Sequence, residues 1–487
     1  MAIETLPRTE SGSNLAYEDL RDWIRQIDAM GQMKHVNGAN VEDDIGQATD
    51  VLHHTVGSPV ALFDNIPGYD PGFRVVVNCF NTHPRIAFTL GIPHDLALAE
   101  MQEIWRNRLR EFQPLAPVEV SDGPVMENVM TGNDVNVLKF PAPKWHPDDG
   151  GRYLGTGSFD VTRDPDEGWV NCGTYRVMVH NERQVGYYIS PGKHGRIQRQ
   201  KYFDRGEPCP VAMVIGSHPL MFLASCTEIP YGLSEYEWVG GMSGEPVKVI
   251  RGPVTGLPIP ADAEIVLEGF ASPTNRLPEG PFGEWTGYYA SGGRDEPVLD
   301  VKAIYHRNSP IVLGSPPNKP PDEQARYRAF LRSALLYDDI EKAGVPDVQS
   351  VWAHEVGGSR LFLAVSIKQR YAGHARQAGH VAAQCHAGAY LGRFVVVVDE
   401  DIDPTNLEDV MWAMCTRSDP ERSLDIIKRA WSGPLDPAIH PDQKGFNSRL
   451  IIDACRPFEW KDRFPPVCNL TPEQQKVARE RWGWLLQ

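Results

Sequence analysis

The sequence has no excess of basic residues. Lys and Arg number 48 against 64 Asp and Glu, a formal net charge of −16 over 487 residues. Such a chain repels phosphate over most of its surface, so no nucleic-acid partner is expected, although a local basic pocket for one small anion remains open. Long apolar runs are missing too. The run 394–398 is far short of the ~20 residues of a membrane span, so no membrane partner is expected either. Residues 1–10 are polar and lack the apolar core of a signal peptide. None of the eight cysteines stands in Cys-x-x-Cys spacing, which argues against a zinc ribbon and fits reduced thiols in a cytoplasmic protein. There is no internal repeat and no low-complexity tract. What remains is a globular chain long enough for several domains.

Gly and Pro are plentiful, 44 and 41, and spread along the chain, as in a protein rich in turns. Three regions separate. In the first, Leu20, Trp23, Ile24, Ile27 and Met30 recur at helical spacing and stop at Gly31; strand-like runs follow at 60–63 and 74–80. A second helical stripe carries Met101, Ile104, Trp105 and Phe112, and the proline-rich stretch 113–124 reads as a linker. The second region is a series of short β-branched runs (155–162, 175–180, 185–190, 211–215, 264–270, 301–305) broken by turn residues, the pattern of a barrel or sandwich. The third follows Ser315-Pro-Pro-Asn-Lys-Pro-Pro321 and alternates helix (322–342, 375–391, 407–417) with strand (360–367, 393–399), as in a three-layer α/β domain. A last helix opens with Thr471, Pro472 and Gln474, a capping-box arrangement, and ends in Trp482, Trp484, Leu485 and Leu486. Its apolar surface suits either a partner subunit or the chain's own body.

Four segments concentrate residues able to do chemistry. In Trp169-Val-Asn-Cys-Gly-Thr-Tyr-Arg176, Asn171 and Arg176 are five apart, on opposite faces of a regular strand, and serve one site only if Gly173 introduces a bulge or the strand edge is itself the site. Ser190-Pro-Gly-Lys-His-Gly-Arg196 is a glycine-flanked basic loop that can bring N–H groups and cations to a phosphate. Ser234-Glu-Tyr-Glu-Trp238 offers a carboxylate that, with Asn171 and His194, makes an oxygen and nitrogen set suited to Mg or Mn. In Pro278-Glu-Gly-Pro-Phe-Gly-Glu284, glycine and proline forbid a helical pair but allow a loop that curls two carboxylates toward one cavity, an acid–base arrangement if a cation sits between them. Taken singly, each segment fits an exposed polar turn as well as a site.

Together, Asn171, Arg176, His194, Glu235 and the run ending at Glu284 resemble, in order and spacing, the UbiD-type decarboxylases. The segments 146–153, 399–403 and 412–417 resemble further pieces of that family. The resemblance implies an N-terminal α/β domain (1–120), a central split β-barrel that binds prenylated FMN (121–315), and a C-terminal α/β domain with a terminal oligomerisation helix (316–487). It implies the catalytic set Arg176, Glu279 and Glu284. It implies Mn2+ or Mg2+ on Asn171, His194 and Glu235, with Glu237 as the competing carboxylate, and K+ near Trp169, Ser225 and Thr227. The flavin would lie along Asn171, Cys172, Gly173, Thr174, Tyr175 and Arg176, beside Lys193, His194, Ser225, Cys226 and Glu235. No clear counterpart of the family's phosphate-side lysine is found, which leaves Arg393 and His386 as unassigned substitutes. The implied activity is reversible, non-oxidative decarboxylation of an aromatic, heteroaromatic or α,β-unsaturated carboxylic acid. A UbiX-type prenyltransferase would supply the cofactor, a homodimer or larger homo-oligomer is expected, and hinge motion of the last domain would gate entry. Lys193 and Trp285 depart from the cinnamate-type pattern and suggest an aromatic acid, although Lys193 facing the phosphate and Trp285 merely packing fit equally. A catalytically silent flavin-binding assembly subunit and a metal-dependent hydrolase are the alternatives.

Overall fold

The computed structural model describes residues 13–486 apart from Glu228 and Ser291; the polar start at 1–10 lies outside them. The first helix, Leu20–Ala29, buries Leu20, Trp23, Ile24 and Ile27, and Asp19 caps it by accepting the Asp22 N–H. It stops where Gly31 turns to φ +70°, a conformation that costs glycine little. Beside it lies a four-stranded sheet in the order Met33–Asn37, Val60–Asp64, Arg74–Val77, Ile311–Gly314. The strand expected over 74–80 ends at Val77, because Asn78 adopts φ +65° and turns its amide to Ser58 and Pro59. Ile311–Gly314 returns from the central region and pairs parallel to Arg74–Val77, tying the first two regions into one core. Two helices that the apolar periodicity does not show, Asp44–His53 and His83–Thr89, fill the connections.

The central region is an antiparallel sheet curled into a half-barrel, in the order Tyr153–Gly155, Val177–Asn181, Gln184–Gly186, Arg294–His306, Ile265–Glu279, Cys209–Ile215, Ser158–Arg163, Val170–Gly173. Asn128–Thr131 adds to Arg294–His306. The short strands expected at 264–270 and 301–305 are the inner parts of a long hairpin of 15 and 13 residues. Ser272-Pro-Thr-Asn275 hides that length in the sequence; the register shift between Ala271 and Arg276 absorbs the proline. Three helices, His194–Asp204, Pro219–Ser225 and Glu235–Ser243, sit where only strands and loops were expected. The linker at 113–124 is pinned as well: Val118–Glu119 pairs with Lys248–Arg251, and the Leu115 N–H donates to the Glu237 carbonyl.

In the last region Val348–Ala353, Phe362–Ile367, Phe394–Asp399, Phe446–Ala454 and Leu424–Trp431 form a five-stranded sheet in that order. Val395 and Val397 pack with the His374–Gln384 helix, while Val396 and Val398 pack with Leu407–Arg417. Alternation along one strand therefore feeds two cores and produces the expected three layers. The helix Glu323–Lys342 gives Tyr327, Phe330 and Leu331 to the core of the first two regions, and Leu336 and Ile340 to the third. The last helix, Pro472–Trp482, has the expected capping box between Thr471 and Gln474, and leaves Trp484 and Leu485 64% and 63% exposed. Among the described residues no helix is long and apolar enough to cross a membrane.

The segments 399–403 and 412–417 meet through Arg417, whose buried guanidinium donates to Asp399 at 3.1 Å and to Asp401 at 2.9 and 2.8 Å. Arg417→Ala would leave the buried Asp399 carboxylate to Arg456 and Gln369 alone and free Asp401 from its two-pronged contact. The expected loss is about 1–3 kcal/mol, read as a lower urea midpoint for the unfolding of this domain.

Candidate active site

Residues 174–176 do not continue a strand. Val170–Gly173 is the edge strand at one end of the curled sheet, and Val177–Asn181 lies near the other end. The three residues between them cross the barrel's opening. Asn171 and Arg176 thus stand on either side of a crossing between the two ends of the sheet, where the sequence suggested a bulge at Gly173.

At one end Arg176 joins two carboxylates. Its Nε and Nη2 donate to Glu279 Oε1 and Oε2 at 2.7 and 2.6 Å, and its Nη1 donates to Glu284 Oε1 at 2.5 Å. Glu279 is 1% exposed and Glu284 8%. Glu279 ends the long hairpin strand, Gly280 turns at φ +80°, and residues 281–283 return the chain so that Glu284 faces the same guanidinium. The guanidinium carbon lies 4.7 Å from the Tyr188 ring centroid and 5.3 Å from that of Phe282, so aromatic faces wall the cation. The Tyr153 hydroxyl donates to Glu279 Oε1 at 3.2 Å. Burial pushes Glu284 above the ordinary carboxylate range; Arg176 opposes this, and the like charge of Glu279 adds to it.

The loop is held from behind. His146 Nδ1 bonds Asp149 at 3.0 Å, and its Nε2 faces the Pro317 carbonyl at 2.7 Å and Asn318 Oδ1 at 3.0 Å. Asp149 in turn accepts the Gly283 N–H at 3.0 Å, and Gly150 donates to the Pro281 carbonyl at 2.7 Å. A Cβ on Gly150 would overlap the Gly280 backbone, and one on Gly283 would fall 2.7 Å from the His146 ring. The segment 146–153 is therefore a clamp on the glutamate loop.

At the other end two metal candidates are neighbours, Asn171 and Glu235, joined through Cys172. Asn171 is 2% exposed, its amide stands beside the Tyr175 hydroxyl, and its Oδ1 is the atom that could meet a cation. Next to it, the Cys172 N–H donates to Glu235 Oε2 at 2.7 Å. Burial pushes Glu235 up to about 8, and no cationic side chain among the described residues counters that. Glu237 is engaged elsewhere: its Oε2 accepts the Ser234 N–H at 3.0 Å and caps the helix that Glu235 begins. His194 opens the His194–Asp204 helix with its ring edge-on to Trp169 and Tyr231, at 5.4 and 5.6 Å. Burial and Lys193 hold it below the usual histidine range, hence as a neutral imidazole. Thr174 Oγ1 lies 2.6 Å from Ser225 Oγ and 3.3 Å from Cys226 Sγ, which stitches the crossing segment to the end of the Pro219–Ser225 helix. The Trp169 carbonyl already accepts the Asp164 N–H, the Ser225 carbonyl accepts the Thr174 N–H, and Thr227 Oγ1 donates to Leu223. Among the described residues no three His, Cys, Asp or Glu side chains form a metal cage. The expected set includes an amide, and an amide oxygen, a neutral imidazole and a buried carboxyl without a cationic partner are donors that a divalent ion takes.

Other expectations resolve differently. Trp285 presses its ring onto Gly358 of the C-terminal domain, and Lys193 is exposed at the helix N-terminus. Arg393 bonds the buried Asp436, and His386 is exposed. The sequence reading missed Tyr188, Phe282, Tyr231 and His180. His180 lies beside Glu279 with Nε2 buried and unpartnered. None of these sits in a spacing pattern; they join the site only by packing.

A half-barrel flanked by two α/β units, with a buried Glu–Arg–Glu set at its opening, defines a narrow structural class. The chain belongs to the UbiD family: models described as the N-terminal, Rift-related and C-terminal domains of 3-octaprenyl-4-hydroxybenzoate carboxy-lyase match residues 24–105, 117–320 and 327–454. It is 34% identical to a phenolic acid decarboxylase of Bacillus subtilis over 91% of this chain and 93% of that one. It is 32% identical to a pyrrole-2-carboxylic acid decarboxylase of Pseudomonas aeruginosa over 90% and 91%. Among solved structures, the closed form of Sedimentibacter hydroxybenzoicus vanillic acid decarboxylase matches with TM-score 0.83, 31% identity and coverage of 97% and 99%. The UbiD-class enzyme HmfF from Pelotomaculum thermopropionicum in complex with FMN matches with TM-score 0.84, 28% identity and coverage of 96% and 100%.

Burial works against protonating His146, but Asp149 and the Pro317 carbonyl outweigh it and raise its pKa. The folded state therefore binds this proton more tightly than the unfolded chain. The clamp's stabilisation is complete below 6.5, the ordinary histidine value, and is lost as pH rises through the folded value. Melting curves above pH 6.5 should fall less steeply for His146→Gln than for the parent; identical slopes would mean that His146 is neutral.

Proposed function

We propose that the chain is a prenylated-FMN-dependent carboxy-lyase that reversibly and non-oxidatively decarboxylates an aromatic or heteroaromatic acid, or an α,β-unsaturated one. The observation that carries this reading is the buried Arg176 shared by Glu279 and Glu284, within a family whose similar members are named as decarboxylases of phenolic, pyrrole-2-carboxylic and vanillic acids. Tyr188 and Phe282 beside Arg176 provide flat apolar walls, which suits a ring-bearing acid.

Glu279 fixes the guanidinium plane through two parallel bonds, so Arg176 Nη1 is presented in a constant direction. A substrate carboxylate competes with Glu284 for that Nη1. Release of Glu284 removes the Arg176 charge that opposes its burial, so its already raised affinity for a proton increases. Glu284 then gives the proton to the carbon from which CO2 departs and takes another from solvent. When bound, the prenylated flavin supplies the electron sink for breaking the carbon–carbon bond.

The metal candidates support Mn2+ or Mg2+ on Asn171, His194 and Glu235, with Glu237 committed to its cap. K+ near Trp169, Ser225 and Thr227 belongs to the same reading, as do the flavin along 171–176 with Lys193, Ser225 and Cys226, and supply by a UbiX-type prenyltransferase. We retain 1–120, 121–315 and 316–487 as domains. The exposed apolar end of the last helix supports a homodimer or larger homo-oligomer, and eight free thiols support a cytoplasmic site of action.

Glu284→Gln keeps the side-chain shape and removes the proton. Turnover should fall by at least about 10²–10⁴-fold while FMN binding is unchanged, measured by CO2 release and flavin fluorescence after co-expression with a prenyltransferase. Turnover equal to the parent would remove Glu284 from this role. A protein that binds flavin but turns over no acid in a panel of aromatic and acrylic substrates, even unmutated, would favour the silent assembly subunit.

A further inference from the structure

The Tyr175 side chain folds back from the crossing segment and stands between two glycines. A Cβ on Gly173, which ends the Asn171 strand, would overlap the Tyr175 hydroxyl oxygen; one on Gly195, which follows His194 in its helix, would fall 2.8 Å from the same atom. That oxygen also accepts the Gly195 N–H at 3.2 Å. This N–H lies in the first turn of the His194–Asp204 helix, where no intrahelical partner exists. One phenol therefore touches the strand that carries Asn171 and the helix that starts with His194, at a separation that admits no methyl group on either side.

We propose that Tyr175 is a positioning residue: its phenol sets the gap between Asn171 and His194 and so the geometry of the metal site. The inference rests on the reading of Asn171, His194 and Glu235 as metal ligands and goes beyond it. Strand and helix also touch further along, where Gln198 Nε2 donates to the Trp169 carbonyl at 3.5 Å, and the phenol is the contact that fixes their separation at the end nearest Asn171 and His194. A rigid ring with two free torsions is a suitable spacer, because it holds both sides at little entropic cost. Glycine at 173 and 195 is required by close approach, since neither position carries the positive φ that would otherwise call for it.

A double-mutant cycle on the apo protein tests this, with Mn2+ alone measured by electron paramagnetic resonance and FMN by fluorescence quenching. Gly195→Ala drives a methyl into the phenol and should weaken Mn2+ about 10–100-fold, as loss of support behind a ligand does. Tyr175→Phe keeps the ring and loses one hydrogen bond, and should weaken Mn2+ about 2–10-fold. In a Tyr175→Leu background, which vacates the space, adding Gly195→Ala should cost little more, whereas general damage to the fold would add fully. Parent-like Mn2+ affinity in both Tyr175→Phe and Gly195→Ala would overturn the spacer. Fully additive losses would overturn it too. An unmutated protein that binds FMN but no Mn2+ would overturn the metal reading beneath it.

Discussion

A guanidinium taken out of water between two carboxylates is the constraint on which the rest of this structure depends. Both carboxylates lie in a poorly solvated space and depend on Arg176 as their shared counter-charge, with Arg328 adding to it at Glu284. Two consequences follow. Glu279 takes the two-pronged contact plus the Tyr153 hydroxyl, while Glu284 keeps a single bond and a raised affinity for a proton. Two chemically identical side chains thereby differ in restraint and in proton affinity by position alone. The loop that holds them needs a rigid rear support, and His146 with Asp149 provides it through a buried hydrogen-bonded pair on its far side.

Glycine contacts do comparable work throughout the site. Gly150 against Gly280, Gly283 against His146, Gly173 and Gly195 against Tyr175, and Gly358 against Trp285 are places where a backbone must come nearer than any Cβ permits. These contacts place the barrel opening, the glutamate loop and the C-terminal domain relative to one another. The Trp285–Gly358 contact lies one residue from Glu284, so the C-terminal domain packs directly behind the glutamate loop.

Much was legible in the sequence. Three regions, the helix Leu20–Ala29 with its glycine stop, the Leu407–Arg417 helix and the capped last helix follow from local periodicity and caps. The half-barrel was visible as a class but not in its lengths, because Pro273 and its neighbours mimic a turn inside a long bulged strand. The helices His194–Asp204 and Glu235–Ser243 were missed because their polar and glycine-containing faces show little apolar periodicity. Their apolar partners come from elsewhere in the chain.

For the site, the sequence by itself determined which polar residues stand in family-like order, because spacing and residue type are one-dimensional properties. It could not decide between Glu235 and Glu237, or whether Asn171 and Arg176 share a strand face. Arg176 meets Glu284 across 108 residues, and Cys172 meets Glu235 across 63. Contacts of that span arise when the curled sheet brings its two edges to one opening, and only there do burial and mutual charge give each group its role. Composition and periodicity record what can be buried; the closure of the fold decides what it is buried against.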